Sequence, residues 1–272
     1  MAKFSIVVVC LNAGNKLKMT VESILAQTCG DYEIIIKDGM STDGCLDGLP
    51  EDRRIRVFRK ADTGIYDGMN QAVEQAGGEY IYFLNCGDFF YDKDVLHRVE
   101  MEIEKTSPGK RGAEGNAGRY IFYGDIYERL TGERVMSNPS MDAFGCYRNV
   151  PCHQACFYGN HLIKEKKFDT KYKVRADYEH FLWCFFRGEA KTVYMPFLIA
   201  DYEGGGFSET KENRRTSSAE HKEITGKYMS LGQVLKYRTV MFLTLSRLRT
   251  WLAENRATAH IYQRLKRSLY RR

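Results

Sequence analysis

No stretch of this chain approaches the roughly 18 consecutive apolar residues of a membrane span, so a helix threaded through a bilayer is not expected. No Gly-x-Gly-x-x-Gly follows the first apolar run, and no phosphate-loop lysine motif occurs. Both absences argue against a dinucleotide oxidoreductase and a P-loop ATPase. No Cys-x-x-Cys pair occurs among the cysteines at 10, 29, 45, 86, 146, 152, 156 and 184. They read as reduced core thiols of a cytosolic protein. Cys152-His153-Gln154-Ala155-Cys156 has the look of a metal fragment, but no second Cys/His pair at zinc spacing accompanies it, so zinc is not expected. There is no internal repeat and no low-complexity tract. The first apolar run is short and lacks a small-residue cleavage site, so it reads as a buried strand rather than a signal peptide.

What is present fits a globular protein. The 272 residues allow one large domain, or one domain with an appendage. Hydrophobic residues make up 43% and charged residues 28%, which is enough apolar material for a real core. The net charge of +6 is unevenly placed. Residues 211–272 hold 15 Lys+Arg against 4 Asp+Glu, which leaves the rest of the chain slightly acidic. A basic tail on an acidic body suggests a negatively charged partner for the tail alone. No nucleic-acid module accompanies it, so nucleic acid is not the expected partner.

Apolar patterning predicts strands at Phe4–Cys10, 33–37, 55–58 and 80–84, and helices at 16–26, 65–76 and 94–105. The alternation is that of an α/β fold, a parallel-rich sheet with helices on both faces. A Gly-rich polar loop is expected at 107–118. Further strands are expected at 119–123, 133–136, 155–158, 192–194 and 198–202, and a helix at 178–187. Beyond 208 the pattern is helical. Val234, Tyr237, Met241, Leu245, Leu248 and Leu252 recur at steps of three and four, flanked by arginine. The domains expected are 1–210, an α/β body, and 211–272, a basic amphipathic helical extension.

Three polar clusters stand at the carboxyl ends of apolar runs: Asp-Gly-Met-Ser-Thr-Asp-Gly at 38–44, Ala-Asp-Thr-Gly-Ile-Tyr-Asp-Gly-Met-Asn at 61–70, and Asn-Cys-Gly-Asp at 85–88. Ligands bind at that edge of open α/β sheets, so the three clusters point to one site. Carboxylates and glycines suit a nucleotide held with a hard divalent cation. On these motifs, with Gln27-Thr28 before them, the chain resembles the inverting family 2 glycosyltransferases of GT-A fold. The resemblance is close over 4–100, fair over 145–210 and absent after about 230. The Asn-Cys-Gly-Asp variant looks like the subgroup that builds bacterial surface polysaccharides.

The resemblance implies a GT-A-like (Rossmann-like), mostly parallel central sheet flanked by helices. It implies transfer of a sugar, with inversion, from a nucleoside diphosphate sugar (UDP-linked in many members) to a hydroxyl of a saccharide or lipid-linked saccharide. Carried onto this sequence, Cys10, Leu11 and Asn12 line the base, Asp38 accepts a hydrogen bond from base or ribose, and Asp62 and Gly64 close the nucleoside pocket. Asn70 and Asn85 belong to the same donor site. Ser208 lies in the Gly-rich segment 202–208, read either as a loop over the pyrophosphate or as a plain hinge. Asp88 holds Mg²⁺ or Mn²⁺, the one clear carboxylate where many relatives have more. Asp177 matches the general base that must deprotonate the acceptor hydroxyl, with Glu179 the runner-up. His153 and Gln154 fall on the acceptor side, where His153 serves equally well as scaffold. Asp38, Asp88 and Asp177 each retain a capping alternative. Two rival readings remain beside the transferase: a sugar nucleotidyltransferase, and a non-catalytic protein that kept the fold.

The tail has three readings: packing, dimerisation, or lying on a membrane. Packing is expected for the part before about 254, and an anionic membrane surface for 261–272. That places the protein in the cytoplasm, with a peripheral position on the inner face of the cytoplasmic membrane.

Overall fold

A computed structural model describes residues 2–106, 116–205 and 210–244, together with 255, 258, 260, 261 and 264. Most of the loop at 107–118, Ser208 and nearly all of 261–272 therefore lie outside the described residues.

The N-terminal half alternates strand and helix, as the apolar runs require. β1 (Phe4–Cys10), α1 (Asn15–Leu25), β2 (Tyr32–Asp38), β3 (Ile55–Arg59), α2 (Ile65–Val73) and β4 (Tyr80–Phe83) follow one another. β1 pairs in parallel with β2 and β4, and β2 with β3. Strand alternation sorts the core into two layers. Phe4, Ile6 and Val8 face Leu17, Val21 and Ile24 of α1 and Val95, Val99 and Ile103 of α3 (Val95–Thr106). On the other face α2 lies against β1 and β2, where its Met69, Ala72 and Val73 are buried.

The second half is mixed, mostly antiparallel. β5 (Phe89–Phe90), β6 (Tyr120–Glu128), β7 (Glu133–Val135), β8 (Cys156–Gly159) and β9 (Lys191–Tyr202) complete a mixed sheet in the order β3-β2-β1-β4-β8-β6-β9-β5, with β7 on β6. β8 runs antiparallel to both β4 and β6, while β9 runs parallel to β6. Parallel pairing, expected to dominate the sheet, is continuous through β3, β2, β1 and β4 and recurs between β6 and β9. The strands expected at 192–194 and 198–202 are one strand of 12 residues. Pro196 cannot donate to a ladder, and the pairing with β6 is irregular around Gly124, where the strand absorbs it.

Short helices α4 (Ala143–Arg148) and α5 (Asn160–Glu165) separate these strands, and α6 (Ala176–Phe186) precedes β9. α7 (Lys211–Tyr228) and α8 (Leu231–Leu243) follow. The chain divides into two compact units, Met1–His221 and Lys222–Arg272, with the division inside α7. In the second unit Ser230 and Gln233 form a reciprocal capping box that starts α8. All eight cysteines are free, and among the described residues no helix is long and apolar enough to cross a membrane.

Candidate active site

The ends of β1 and β2 are laced together. The Asn12 backbone, at φ +50°, donates to Ser41 Oγ (2.8 Å), and the Asn12 carboxamide accepts from the Thr42 N–H (2.9 Å). Asp38 ends β2 and is fully buried. Its oxygens accept from the Ser41 N–H (3.1 Å) and from Arg59 Nε (2.9 Å). Burial alone would raise its pKa; the hydrogen bonds from Ser41 and Arg59 outweigh it and hold the carboxyl below its ordinary value. A carboxylate so enclosed is an anchor for the loop, and the half-exposed group at the end of this edge is the Arg59 guanidinium. Cys10 lies beneath, its Sγ 3.7 Å from Asp38 Oδ1, whereas Leu11 is exposed.

Asp62 lies beside the same edge. It pairs with Lys37, a lysine wholly buried at the end of β2. A Cβ on Gly39 would stand 2.9 Å from Asp62 Oδ2, so glycine is required for the approach. Gly64, at φ +145°, turns the chain into α2, a conformation closed to side-chain-bearing residues.

The third cluster meets the acidic residue of α6. The Tyr66 OH, with one proton to give, lies between the Val174 C=O (2.9 Å) and Asp177 Oδ1 (3.0 Å), and Asp177 Oδ2 lies 3.3 Å from His153 Nδ1. The other ring nitrogen of His153 is 3.3 Å from Asn85 Nδ2. The Asn85 amide can only donate there, which leaves the imidazole proton on Nδ1, facing Asp177. Burial would raise the Asp177 pKa, but its hydrogen bonds, that from His153 foremost, outweigh burial and draw the carboxyl below its usual range. The side chain retains 26% exposure, enough for a hydroxyl to reach it. Arg175, at the N-cap of α6, makes no side-chain cap, and the amides leading into the helix are taken by Glu220 of α7, which accepts from the N–H groups of Lys173 (2.8 Å), Val174 (3.1 Å) and Arg175 (2.8 Å).

Asp88 is 4% exposed. Oδ2 accepts from Gln154 Nε2 (2.9 Å) and Oδ1 from the Glu203 N–H (2.9 Å), while burial pushes the carboxyl up. Each oxygen keeps a second lone pair. Above it Gly87, at φ +99°, makes room for the Glu203 carboxylate, which a Cβ there would meet at 2.8 Å. Glu203 in turn holds Lys16 Nζ (2.7 Å). Asn85 Oδ1 is buried and has no hydrogen-bond partner among the described residues. An unsatisfied amide oxygen and a carboxylate three residues apart on the loop after β4 are oxygen donors of the kind a hard divalent cation takes.

Three expected site residues are placed elsewhere. The Asn70 carboxamide is closed on the backbone of Phe168, donating to its C=O (2.9 Å) and accepting from its N–H (2.9 Å), so it clamps two segments rather than reaching a ligand. Glu179 is fully buried and paired with Lys166 (2.9 Å), two positions past Asp177 and so on another side of the helix. Gln154 is buried on Asp88 and braces that carboxylate instead of facing an acceptor. Conversely, sequence reasoning passed over Lys37, Arg59, Tyr66 and Glu220. Lys37 had a signal, a lysine closing an apolar strand, and Tyr66 sits inside a quoted motif. Arg59 and Glu220 had none.

The profile of the family described as "Glycosyl transferase family 2" matches residues 5–157. A PGL/p-HBAD biosynthesis glycosyltransferase of Mycobacterium bovis is 35% identical over 216 residues, 76% of this chain and 79% of that protein. The crystal structure of residues 1–349 of S. aureus TarS in complex with UDP superposes with a TM-score of 0.60 at 16% identity, covering 92% of this chain and 78% of that one. The mannosyltransferase PcManGT of Pyrobaculum calidifontis, solved with GDP-Man and Mn2+, gives a TM-score of 0.63 at 13% identity, covering 99% and 81%. These two likenesses establish the GT-A fold. With the profile covering more than half of its length and a relative of this identity over three quarters of it, the chain belongs to glycosyl transferase family 2 and is a glycosyltransferase.

Proposed function

We propose that this glycosyltransferase moves a sugar from a nucleoside diphosphate sugar, UDP-linked, to a hydroxyl of a saccharide or lipid-linked saccharide in polysaccharide assembly, with inversion at the anomeric carbon. The observation that carries the reading is the Asp177 carboxylate, partly exposed, held on both oxygens and drawn below its usual pKa. Such a group is ionised at neutral pH and aimed, as a general base must be. Tyr66 and His153 fix its direction. Asp177 accepts the proton of the attacking hydroxyl as that oxygen bonds to the anomeric carbon; the bond from that carbon to the diphosphate breaks on the opposite face, and the nucleoside diphosphate departs with its electron pair.

The nucleoside sits, in this reading, at the Asn12–Leu11, Arg59 and Asp62–Gly64 edge. Asp38 supports it from beneath, with its carboxylate on Arg59. Asp88 and Asn85 Oδ1 would hold Mg²⁺ or Mn²⁺. When bound, the cation offsets the charge that develops on the leaving diphosphate. The bonded UDP and GDP-Man of the two structural neighbours belong to those proteins, but they make diphosphate nucleotides the first ligands to try.

Calorimetric titration with UDP, GDP and dTDP, each with and without Mn²⁺, tests the donor site. Binding of one diphosphate, tightened by Mn²⁺, is expected; no binding of any by folded protein removes the donor assignment. Asp177→Asn is expected to lower kcat by roughly a hundredfold or more with diphosphate affinity kept. Turnover that survives the substitution removes Asp177 as base.

A further inference from the structure

α8 has no buried residue, although most of its positions are apolar. Val234, Tyr237, Val240 and Met241 are half-covered. The opposite side is open: Leu231 is 83% exposed, Leu235 62% and Phe242 79%. Helical spacing puts these three on one stripe, with Arg238 among them. Singly exposed leucines need no explanation, but a row of three large apolar side chains on one regular helix marks a contact surface.

Charge selects what covers it. α8 carries Lys236 and Arg238 and no acid, and from Leu231 to the last residue 10 Lys+Arg face a single acid, Glu254. A second copy would bring the same cationic surface against this one, an arrangement that like charges oppose. A surface of negative charge is favoured, and one that admits Leu and Phe tips while arginine and lysine heads stay at its rim is an anionic bilayer. The helix is too short and too basic to span. We propose that the Leu231–Leu235–Phe242 stripe of α8 lies in the headgroup region of an anionic membrane, with Lys236 and Arg238 against the lipid phosphates. This places a membrane contact on a helix ahead of 261–272, the segment where one was expected, and it does not depend on which donor the enzyme uses.

The test is co-sedimentation of the full chain with vesicles of equimolar phosphatidylglycerol and phosphatidylcholine, against vesicles of phosphatidylcholine alone. The protein should partition about tenfold or more in favour of the anionic vesicles, because each basic residue near the surface adds to binding. Leu231→Gln, Leu235→Gln and Phe242→Gln together should weaken anionic binding by about tenfold or more through the lost apolar insertion, with circular dichroism and melting temperature kept. Equal partition of this variant and the parent would overturn the proposal, since the basic residues alone would then account for binding. Indifference of the parent to anionic lipid would overturn it as well. So would a lipid-free dimer that the triple variant abolishes, which would make a second copy the occupant.

Discussion

His153 links the loop after β4 to the acidic residue of α6, and its effect is legible in one pKa. With His153 present the Asp177 carboxyl lies below the ordinary carboxylate value of about 3.9, although burial opposes this. Removing the imidazole removes the leading cause that lowers it and leaves burial in place. The acid limb of the rate profile should therefore move up in His153→Ala, so that activity falls at a pH where the parent still runs on its plateau. His153→Asn, whose amide N–H replaces that of Nδ1, should keep the limb near the parent's. A pH profile of kcat, measured by brief jumps from neutral stock, separates this from simple damage: loss of rate with an unmoved limb would make His153 scaffold alone. Asn70 makes the converse case. Its carboxamide serves Phe168 on both sides. Asn70→Ala should destabilise by about 2 kcal/mol, since it strands two backbone groups, and should leave diphosphate affinity unchanged. A tenfold loss of that affinity in titration would return Asn70 to the donor site.

Elements differ in how plainly the sequence announced them. β1, β2 and β4 are buried on both faces save at Val9 and Glu33, so their apolar runs had no competing pattern, and the polar residues just beyond them could be read as the site edge. β5, α4 and α5, at two to six residues, are too short to show a period at all. Asp38, Asp62 and Asp177 stand out in the sequence because they lie in motifs. Arg59 and Lys37 do not, because they meet Asp38 and Asp62 only through the tertiary fold; His153 is expected on the acceptor side, but its pairing with Asp177 is likewise tertiary. Glu220 is the clearest instance: a solvent-type glutamate in a polar helix, 43 residues after Asp177, closes on three consecutive amides that lead into α6. A carboxylate accepting three N–H groups sets the entry angle of that helix and so the place of its second residue, Asp177. Glu220→Gln keeps the shape but removes the charge. It should cost about 1.5–3 kcal/mol in urea unfolding and lower kcat more than it raises the KM for donor. A variant that loses stability with kcat intact would show that α6 is aimed by other contacts.

At the scale of the whole molecule, a histidine with no part in the site contributes to how stability responds to acid. His180 is fully buried among the rings of Tyr158, Phe168 and Trp183, close to the Cys184 thiol (3.6 Å). Burial, helped by the charge of Lys166, lowers its pKa from 6.5 to about 4. The unfolded chain therefore binds a proton between those values that the folded chain refuses. A histidine whose folded pKa is depressed contributes fully above the unfolded pKa, and that contribution is lost as pH falls from about 6.5 to about 4. The shift corresponds to roughly 3 kcal/mol. It stands against the half-buried Lys166–Glu179 pair beside it, whose glutamate holds the Lys166 charge close to the ring. Urea midpoints measured from pH 7 to 4.5 should fall steeply for the parent. In His180→Phe, which keeps a ring in an aromatic pocket, the fall should be shallower by a large part of that amount. Equal slopes for the two proteins would mean that another group takes up the proton on unfolding. Asp88 is not that group: its folded pKa is raised by burial, so the folded state is the one that takes the proton first, and its contribution to the slope has the opposite sign.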